Sequence, residues 1–102
     1  MEEAVMSVVA EMSIFPLDKG VSLSPYVARA IAIIKDSGLD YQLTPMGTCI
    51  EGNWSDVLQV VNRCFADLQQ DCHRISLNLK VDYRSGDDKR MRAKTESVQS
   101  KL

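Results

Sequence analysis

The chain has few of the residue types on which enzyme chemistry most often depends. His73 is the only histidine among its 102 residues. A serine or cysteine nucleophile needs a nearby base, which is most often a histidine. The sequence offers neither a Ser-His-Asp nor a Cys-His arrangement, and it lacks a glycine-rich phosphate loop. We therefore predict that the protein is not an enzyme and has no catalytic residues.

Cysteine is also scarce, and its spacing argues against the common cysteine-based sites. The three cysteines, Cys49, Cys64 and Cys72, are odd in number and form no C-x-x-C pair. We expect reduced thiols, which are typical of the cytoplasm. Cys72 precedes His73, but zinc needs three or four convergent ligands. The sequence therefore predicts no metal site and no required cofactor.

The chain also has no excess of basic residues. The chain carries 12 Lys and Arg against 14 Asp and Glu, for a formal net charge of −2. A nucleic-acid-binding protein would show a basic patch and a high pI. No apolar run approaches the roughly 18–20 residues of a membrane-spanning helix. The acidic start Met1-Glu2-Glu3 does not resemble a secretory signal. We expect a cytoplasmic protein without a nucleic-acid or membrane partner.

Alternating apolar and polar side chains are present in three segments, and a period of two predicts β-strands. These segments are residues 6–14, 39–45 and 74–83. A turn at Met46 and Gly47 leads into a short strand over residues 48–51, which completes a hairpin with the second segment.

Helical signals fall between the strands. Ser24 before Pro25 predicts a capped helix start, and Gly38 a helix end. Asn53 predicts the cap of a second helix. The apolar stripe of the first helix comprises Val27, Ala30, Ile31 and Ile34, and that of the second Val57, Val61, Cys64 and Leu68. A third, weakly apolar helix is predicted over about 88–102.

The order of these elements is βαββαβ followed by one more helix. This order predicts an α+β protein with a ferredoxin-like sandwich, in which two helices cover one face of a four-stranded antiparallel sheet. We expect residues 1–102 to form a single domain of this kind with an extra C-terminal helix.

The second face of the predicted sheet is polar but also holds Val9 and Cys49. Glu51 lies between the two glycines of the short return strand, in a segment that otherwise looks buried. A buried charge needs a partner or a ligand. Three interpretations stay open: a solvated sheet face, a ligand site closed by a second subunit, and a catalytic pair of Glu11 and Glu51. The basic run 89–92 is interpreted as a solvated helix face, with anion binding as the alternative.

Several segments, taken in order, resemble one known family. They are Pro16; Ser24 with Tyr26-Val27; Ser37-Gly38-Leu39-Asp40-Tyr41; Pro45-Met46-Gly47-Thr48 with Ile50-Glu51-Gly52; Trp54; and Lys80-Val81-Asp82-Tyr83-Arg84 before a charged helix. The chain resembles the MTH1187/YkoF-like family, also called the thiamine-binding protein or UPF0045 family. The resemblance covers nearly the whole chain, although Cys72 and His73 stand where members usually have glycine.

The resemblance implies a ferredoxin-like subunit that forms a homo-oligomer, either a dimer or a tetramer. It also implies a non-enzymatic role, the binding of thiamine or its hydroxymethylpyrimidine moiety at the polar sheet face near a subunit interface. The alternative is a structural or protein-interaction module whose sheet face is only an oligomer interface.

Eight residues are predicted to bind the ligand. Gly47, Thr48 and Glu51 come from the segment shared with the family, and five more come from the alternation of the strands: Glu11, Ser13, Thr44, Asn78 and Lys80.

Overall fold

The structure, a computed structural model, describes residues 6–86 and 89–102. Its elements are β1 (Ser7–Pro16), α1 (Ser24–Asp36), β2 (Asp40–Thr44), β3 (Gly47–Asn53), α2 (Trp54–Gln69), β4 (Ile75–Tyr83) and α3 (Arg90–Gln99). This order confirms the predicted ferredoxin-like fold with its additional C-terminal helix.

The four strands form one antiparallel sheet in the order β2-β3-β1-β4. Val8, Ala10, Met12 and Ile14 of β1 face α1 and α2 and are buried in the core. β1 continues to Pro16, beyond the predicted end at residue 14. Pro16 is tolerated because it lies at the end of the strand, where its missing N–H breaks no ladder hydrogen bond with β4.

The start of α1 differs from the prediction. Leu23, not Ser24, occupies the N-cap position, and no side chain caps the helix. Ser24 is already helical, and Pro25 follows in the first turn, where a missing N–H costs no hydrogen bond. The predicted end is confirmed, because Gly38 after the helix adopts a φ of +79°.

The predicted start of α2 is confirmed. The side chain of Asn53 accepts a hydrogen bond from the Ser55 N–H at 3.0 Å. The buried face of the helix contains the predicted stripe together with Val60. These side chains pack on α1 and on the inner face of the sheet, and they form one core with β1.

A forked ion pair connects the two main helices on their outer side. The guanidinium of Arg29 donates to both carboxylate oxygens of Asp71 and to the carboxylate and backbone carbonyl of Asp67, at 2.8–2.9 Å. The hydrogen bond from Arg29 is the main reason why the pKa of Asp71 is lowered from its ordinary value. This fork fixes the position of α1 relative to the end of α2.

Replacing Arg29 with Lys should lower the free energy of unfolding by about 1 kcal/mol, because lysine cannot form the fork. Urea unfolding followed by circular dichroism measures the change. The control is Arg63→Lys. Arg63 makes a single 3.3 Å contact with Asp36, and both side chains are exposed. An equal loss in both variants would contradict the assigned role of the fork.

The third helix lies on the polar side of the sheet. There, one row of directly opposite residues crosses all four strands, in the order Asp40, Glu51, Val9 and Asp82. We call these residues the covered row. Its three carboxylates all contact α3.

Glu51 makes the central contact with α3. Its Oε2 accepts hydrogen bonds from the backbone N–H groups of Arg90 and Met91 at the start of the helix. A carboxylate is favoured at this position because the first N–H groups of a helix have no partner within it and carry partial positive charge. Met91 is buried and only 4% exposed, so it is the apolar anchor of α3.

Ion pairs hold the helix on both sides of this anchor. Asp82 pairs with Arg90 and Lys94, and Asp40 pairs with Arg92 at 3.0 Å. The interpretation of residues 89–92 as a solvated face is therefore wrong for Arg90, whose side chain is only 13% exposed. Glu51 does point away from α1 and α2, as expected, but the structure that covers it is α3 of the same chain. A neighbouring copy is not needed to bury it.

Replacing Glu51 with Ala should detach the start of α3, because two N–H groups would lose their acceptor. A buried donor without a partner costs about 1–3 kcal/mol. Hydrogen exchange at residues 90–99 should speed up, while α1 and α2 stay protected. Glu11→Ala, on the same sheet face but exposed, is the matched control and should change little. Unchanged exchange in Glu51→Ala would contradict the capping role.

Acid should loosen α3 in the same way. The hydrogen bonds from Lys94 and Arg90 lower the pKa of Asp82 from its ordinary 3.8. A lowered folded-state pKa means that this contribution to stability is complete above the ordinary pKa and is lost as the pH falls through the lowered one. NMR signals of α3 should therefore broaden or shift between about pH 4 and pH 2.

Asp82→Asn should already show a loosened α3 at pH 5. If α3 of this variant is as ordered as in the wild type, Asp82 does not hold the helix.

Candidate functional site

Two rows of the polar sheet face lie beyond α3, and we call them the open patch. One row contains Gln42, Cys49, Glu11 and Lys80, which are opposite one another across the four strands. In the next row, Thr44 is opposite Gly47 and Ser13 is opposite Asn78. The open patch is therefore a contiguous polar surface made of eight residues from all four strands.

Glu11 is the acidic centre of the open patch. It is exposed and lies between Cys49 on β3 and Lys80 on β4. Opposite charges in directly opposite positions stabilise a sheet modestly, by about 0.2–1 kcal/mol. Burial, with a smaller contribution from Glu11, raises the pKa of the Cys49 thiol. Cys49 is therefore a neutral, poorly reactive neighbour of Glu11.

A pocket of about 280 Å³ opens at one end of the sheet, and we call it the end pocket. It exists because the strands have unequal lengths. The ladder between β1 and β3 ends at Met12 and Thr48, whereas β1 continues beside β4 to Pro16. The space next to the last part of β1 lies between α1 and the β2–β3 turn. The walls are mainly apolar, including Leu23, Val27, Ile31 and Met46.

The end pocket and the open patch meet at Ser13, Thr44 and Gly47, which belong to both. Gly47 brings the two regions together because the hairpin lies very close to β1. A Cβ at Gly47 would lie 3.0 Å from the carbonyl oxygen of Met12 and 3.5 Å from Cγ of Glu11. Glycine therefore keeps the space beside Glu11 free of a further side chain.

Thr44 has a structural role in the turn. Its hydroxyl donates to the Gly47 carbonyl at 2.8 Å and accepts a hydrogen bond from the Met46 N–H at 3.3 Å. The only proton of the hydroxyl is therefore used within the turn. Thr44 Oγ1 can therefore accept a hydrogen bond from a ligand but cannot donate one.

The structure divides the eight predicted site residues into three groups. Six of them share the open patch: Glu11, Ser13, Thr44, Gly47, Asn78 and Lys80. Glu51 belongs to the covered row and contacts α3. Thr48 does not share the polar face, because it lies opposite Met12 and Leu43 on the helix side, where it is buried. Thr48 reaches the same region from the other side, as a wall of the end pocket.

Sequence patterns do not predict the apolar wall of the end pocket. Val27 and Ile31 match the helical stripe, which predicts core positions, and Met46 matches a turn. Both α1 residues are only partly buried, and Met46 is 83% exposed. An exposed methionine in a tight turn was the available signal that this end of the sheet is not closed.

In the part of the chain that the structure describes, no helix is long and apolar enough to cross a membrane. Among the same residues, no three His, Cys, Asp or Glu side chains come together as metal ligands would. Cys72 is buried, and the backbone N–H of His73 donates to Asp18.

The chain is similar to proteins of known sequence and structure. The chain is 37% identical over 98 residues to the UPF0045 protein Mb1933 of Mycobacterium bovis, covering 95% of this chain and 96% of that protein. It is 34% identical over 91 residues to the UPF0045 protein MJ1052 of Methanocaldococcus jannaschii, covering 89% and 91%.

The fold comparison agrees with the sequence comparison. The crystal structure of MJ1052 superposes with a TM-score of 0.86 at 33% identity, covering 92% of this chain and 97% of that one. A candidate thiamine biosynthesis or salvage protein from Thermotoga maritima has the same fold, with a TM-score of 0.80 at 24% identity over 90% of this chain and 98% of that one.

A family profile described as "Thiamine-binding protein" matches residues 10–99, which contain the sheet except the first three residues of β1, all three helices and every candidate site residue. Together with the UPF0045 relatives, this match shows that the chain belongs to the thiamine-binding protein family.

Proposed function

We propose that the protein binds thiamine or its hydroxymethylpyrimidine moiety where the end pocket meets the open patch. The observation that carries the proposal is the junction at Gly47, where an apolar cavity adjoins an exposed carboxylate. Small-molecule sites typically combine an apolar cavity with a few polar groups that fix the orientation of the ligand. The family description supplies the class of ligand.

The end pocket fits the flat ring of such a ligand. Its volume of about 280 Å³ lies near the lower limit of typical ligand sites, which suits one small heterocycle better than a larger molecule. The wall combines apolar side chains of α1 with Thr48, which has a hydroxyl that can donate to or accept from a ring nitrogen. In this proposal Thr48 contacts the pyrimidine ring.

Glu11 is the group that recognises the polar side of the ligand. An ionised carboxylate accepts hydrogen bonds from an exocyclic amine and attracts a cation. Both features occur in thiamine, which has an aminopyrimidine and a positively charged thiazolium ring. Asn78 and Lys80 border Glu11 and Ser13 on β4 and complete the polar surroundings. Glu51 acts indirectly, because it holds α3 over the covered row.

The proposal describes a binding protein and not a catalyst. It includes binding in the cytoplasm, which the three free thiols support, and a homo-oligomer with a subunit boundary close to the site. The alternative is a sheet face that serves only as an oligomer interface. Ligand titration separates the two.

Calorimetric titration of the wild-type protein with thiamine should give saturable heat. Glu11→Gln should weaken binding about tenfold or more, because a hydrogen bond to a charged group contributes about 1.5–3 kcal/mol. Glu96→Gln makes the same change of net charge on the exposed surface of α3 and is the matched control. Thr48→Val should weaken the binding of hydroxymethylpyrimidine as well.

Two outcomes would contradict the proposal. One is the absence of saturable heat with either compound, which would leave the interface role as the better account of the sheet face. The other is equal weakening by Glu11→Gln and Glu96→Gln, since that would mean that only the overall charge of the protein matters.

A further inference from the structure

α3 is held on the sheet mainly by polar contacts. Within this helix, all of which the structure describes, Met91 is the only buried side chain, whereas α2 buries five. Val98 of α3 and Leu102 beyond it are 61% and 100% exposed. Segments with few buried apolar contacts open at low free energy, independently of the rest of the fold. α3 is therefore the helix that should leave the sheet most easily.

Two features at the start of α3 oppose its docked position. Lys89 adopts a φ of +54°, in the left-handed region, which is unfavourable for a residue with a Cβ. Nη1 of Arg90 is buried, and it has no hydrogen-bond partner among the described residues. A buried donor of a charged group is costly when it is left unpaired. Release of the start of α3 from the sheet would relieve both.

α3 brings positive charge to an acidic face of the sheet. Residues 89–102 contain five Lys or Arg and one Glu, whereas the whole chain has a formal net charge of −2. Two carboxylates that meet this charge lie close to the candidate site. Glu51 and Asp82 flank Val9 in the covered row, so both are diagonal neighbours of Glu11 on the same face. Diagonal neighbours are about 7–8 Å apart, which is within the screening length at physiological salt.

We propose that α3 is an autoinhibitory helix that weakens the binding of a cation at Glu11. While α3 is docked, its first N–H groups engage Glu51. Arg90 and Lys94 neutralise Asp82 at the same time. After release, both carboxylates add to the attraction that Glu11 exerts on a positively charged ligand. A neutral ligand is not affected by this change, so α3 lowers the affinity for charged ligands selectively.

The effect of α3 on the ligand is reciprocal. A ligand that binds one state of a protein more tightly shifts the equilibrium towards that state. A cation at Glu11 should therefore favour the released state of α3. This inference rests on the proposed function, because it takes thiamine, with its positively charged thiazolium ring, as the cation and hydroxymethylpyrimidine as the neutral ligand of the same site.

The first measurement is hydrogen exchange of the full chain without ligand. Residues 90–99 should exchange while α1 and α2 stay protected, because α3 opens by itself. Added salt should speed up exchange in α3 relative to α1 and α2, because it screens the ion pairs that hold the helix. If α3 exchanges only as slowly as α1 and α2, or if salt does not change its relative rate, the proposal is overturned.

Saturation with thiamine should speed up exchange at residues 90–99 further, whereas hydroxymethylpyrimidine should not. The double variant Arg92→Gln/Lys94→Gln loses partners of Asp40 and Asp82 and should release α3 more often. In calorimetry at about pH 8, where the carboxylates are ionised, this variant should bind thiamine about threefold more tightly than the wild type does. Its affinity for hydroxymethylpyrimidine should be unchanged.

The matched control is Lys35→Gln/Arg63→Gln, which removes the same two charges from exposed positions of α1 and α2 and should leave both affinities unchanged. Equal tightening in the two double variants would overturn the proposal, since the overall charge would then explain it. So would thiamine that binds without faster exchange in α3. Either result leaves the proposed function intact, because thiamine has bound. An absence of saturable heat with both compounds contradicts the proposed function, and the autoinhibitory role falls with it.

Discussion

The hydrogen bonds between the Glu51 carboxylate and the start of α3 determine which part of the polar sheet face is available. Carboxylates at Asp40 and Asp82 continue the same row, and the cations of α3 pair with them. The helix has little apolar surface, so these polar contacts, together with Met91, fix its place. Because α3 occupies one row of the sheet, the next two rows remain as the candidate binding surface.

The candidate site therefore depends on two kinds of constraint that act at different distances. Close to the ligand, Gly47 allows the hairpin to approach β1 and keeps the space beside Glu11 clear. Further away, the cap at Glu51 keeps α3 from covering that space. A carboxylate can thus serve a binding site without contacting the ligand, since it positions the element that borders the site.

Much of the fold was predictable because alternation and helical periodicity are local properties. The strands, both main helices and the glycine after α1 follow from them. The predictions that were wrong include a local one, the cap of α1, and others that concern contacts between distant segments. Ser24 has cap chemistry, yet Leu23 takes the position. The 89–92 run is basic, yet Arg90 is largely buried, because it forms an ion pair with Asp82 of the sheet. The end pocket depends on where the ladder between β1 and β3 stops, which no single segment encodes.

The difference in length between β1 and its β3 partner has a consequence for how this architecture diversifies. The cavity at the end of the sheet is a gap left by missing ladder residues, so its depth is a matter of strand length rather than side-chain size. Insertion or deletion of a residue pair in the β2–β3 hairpin would resize it without disturbing the buried layer between sheet and helices. The same scaffold is thereby free to accommodate molecules of different dimensions through changes in one turn.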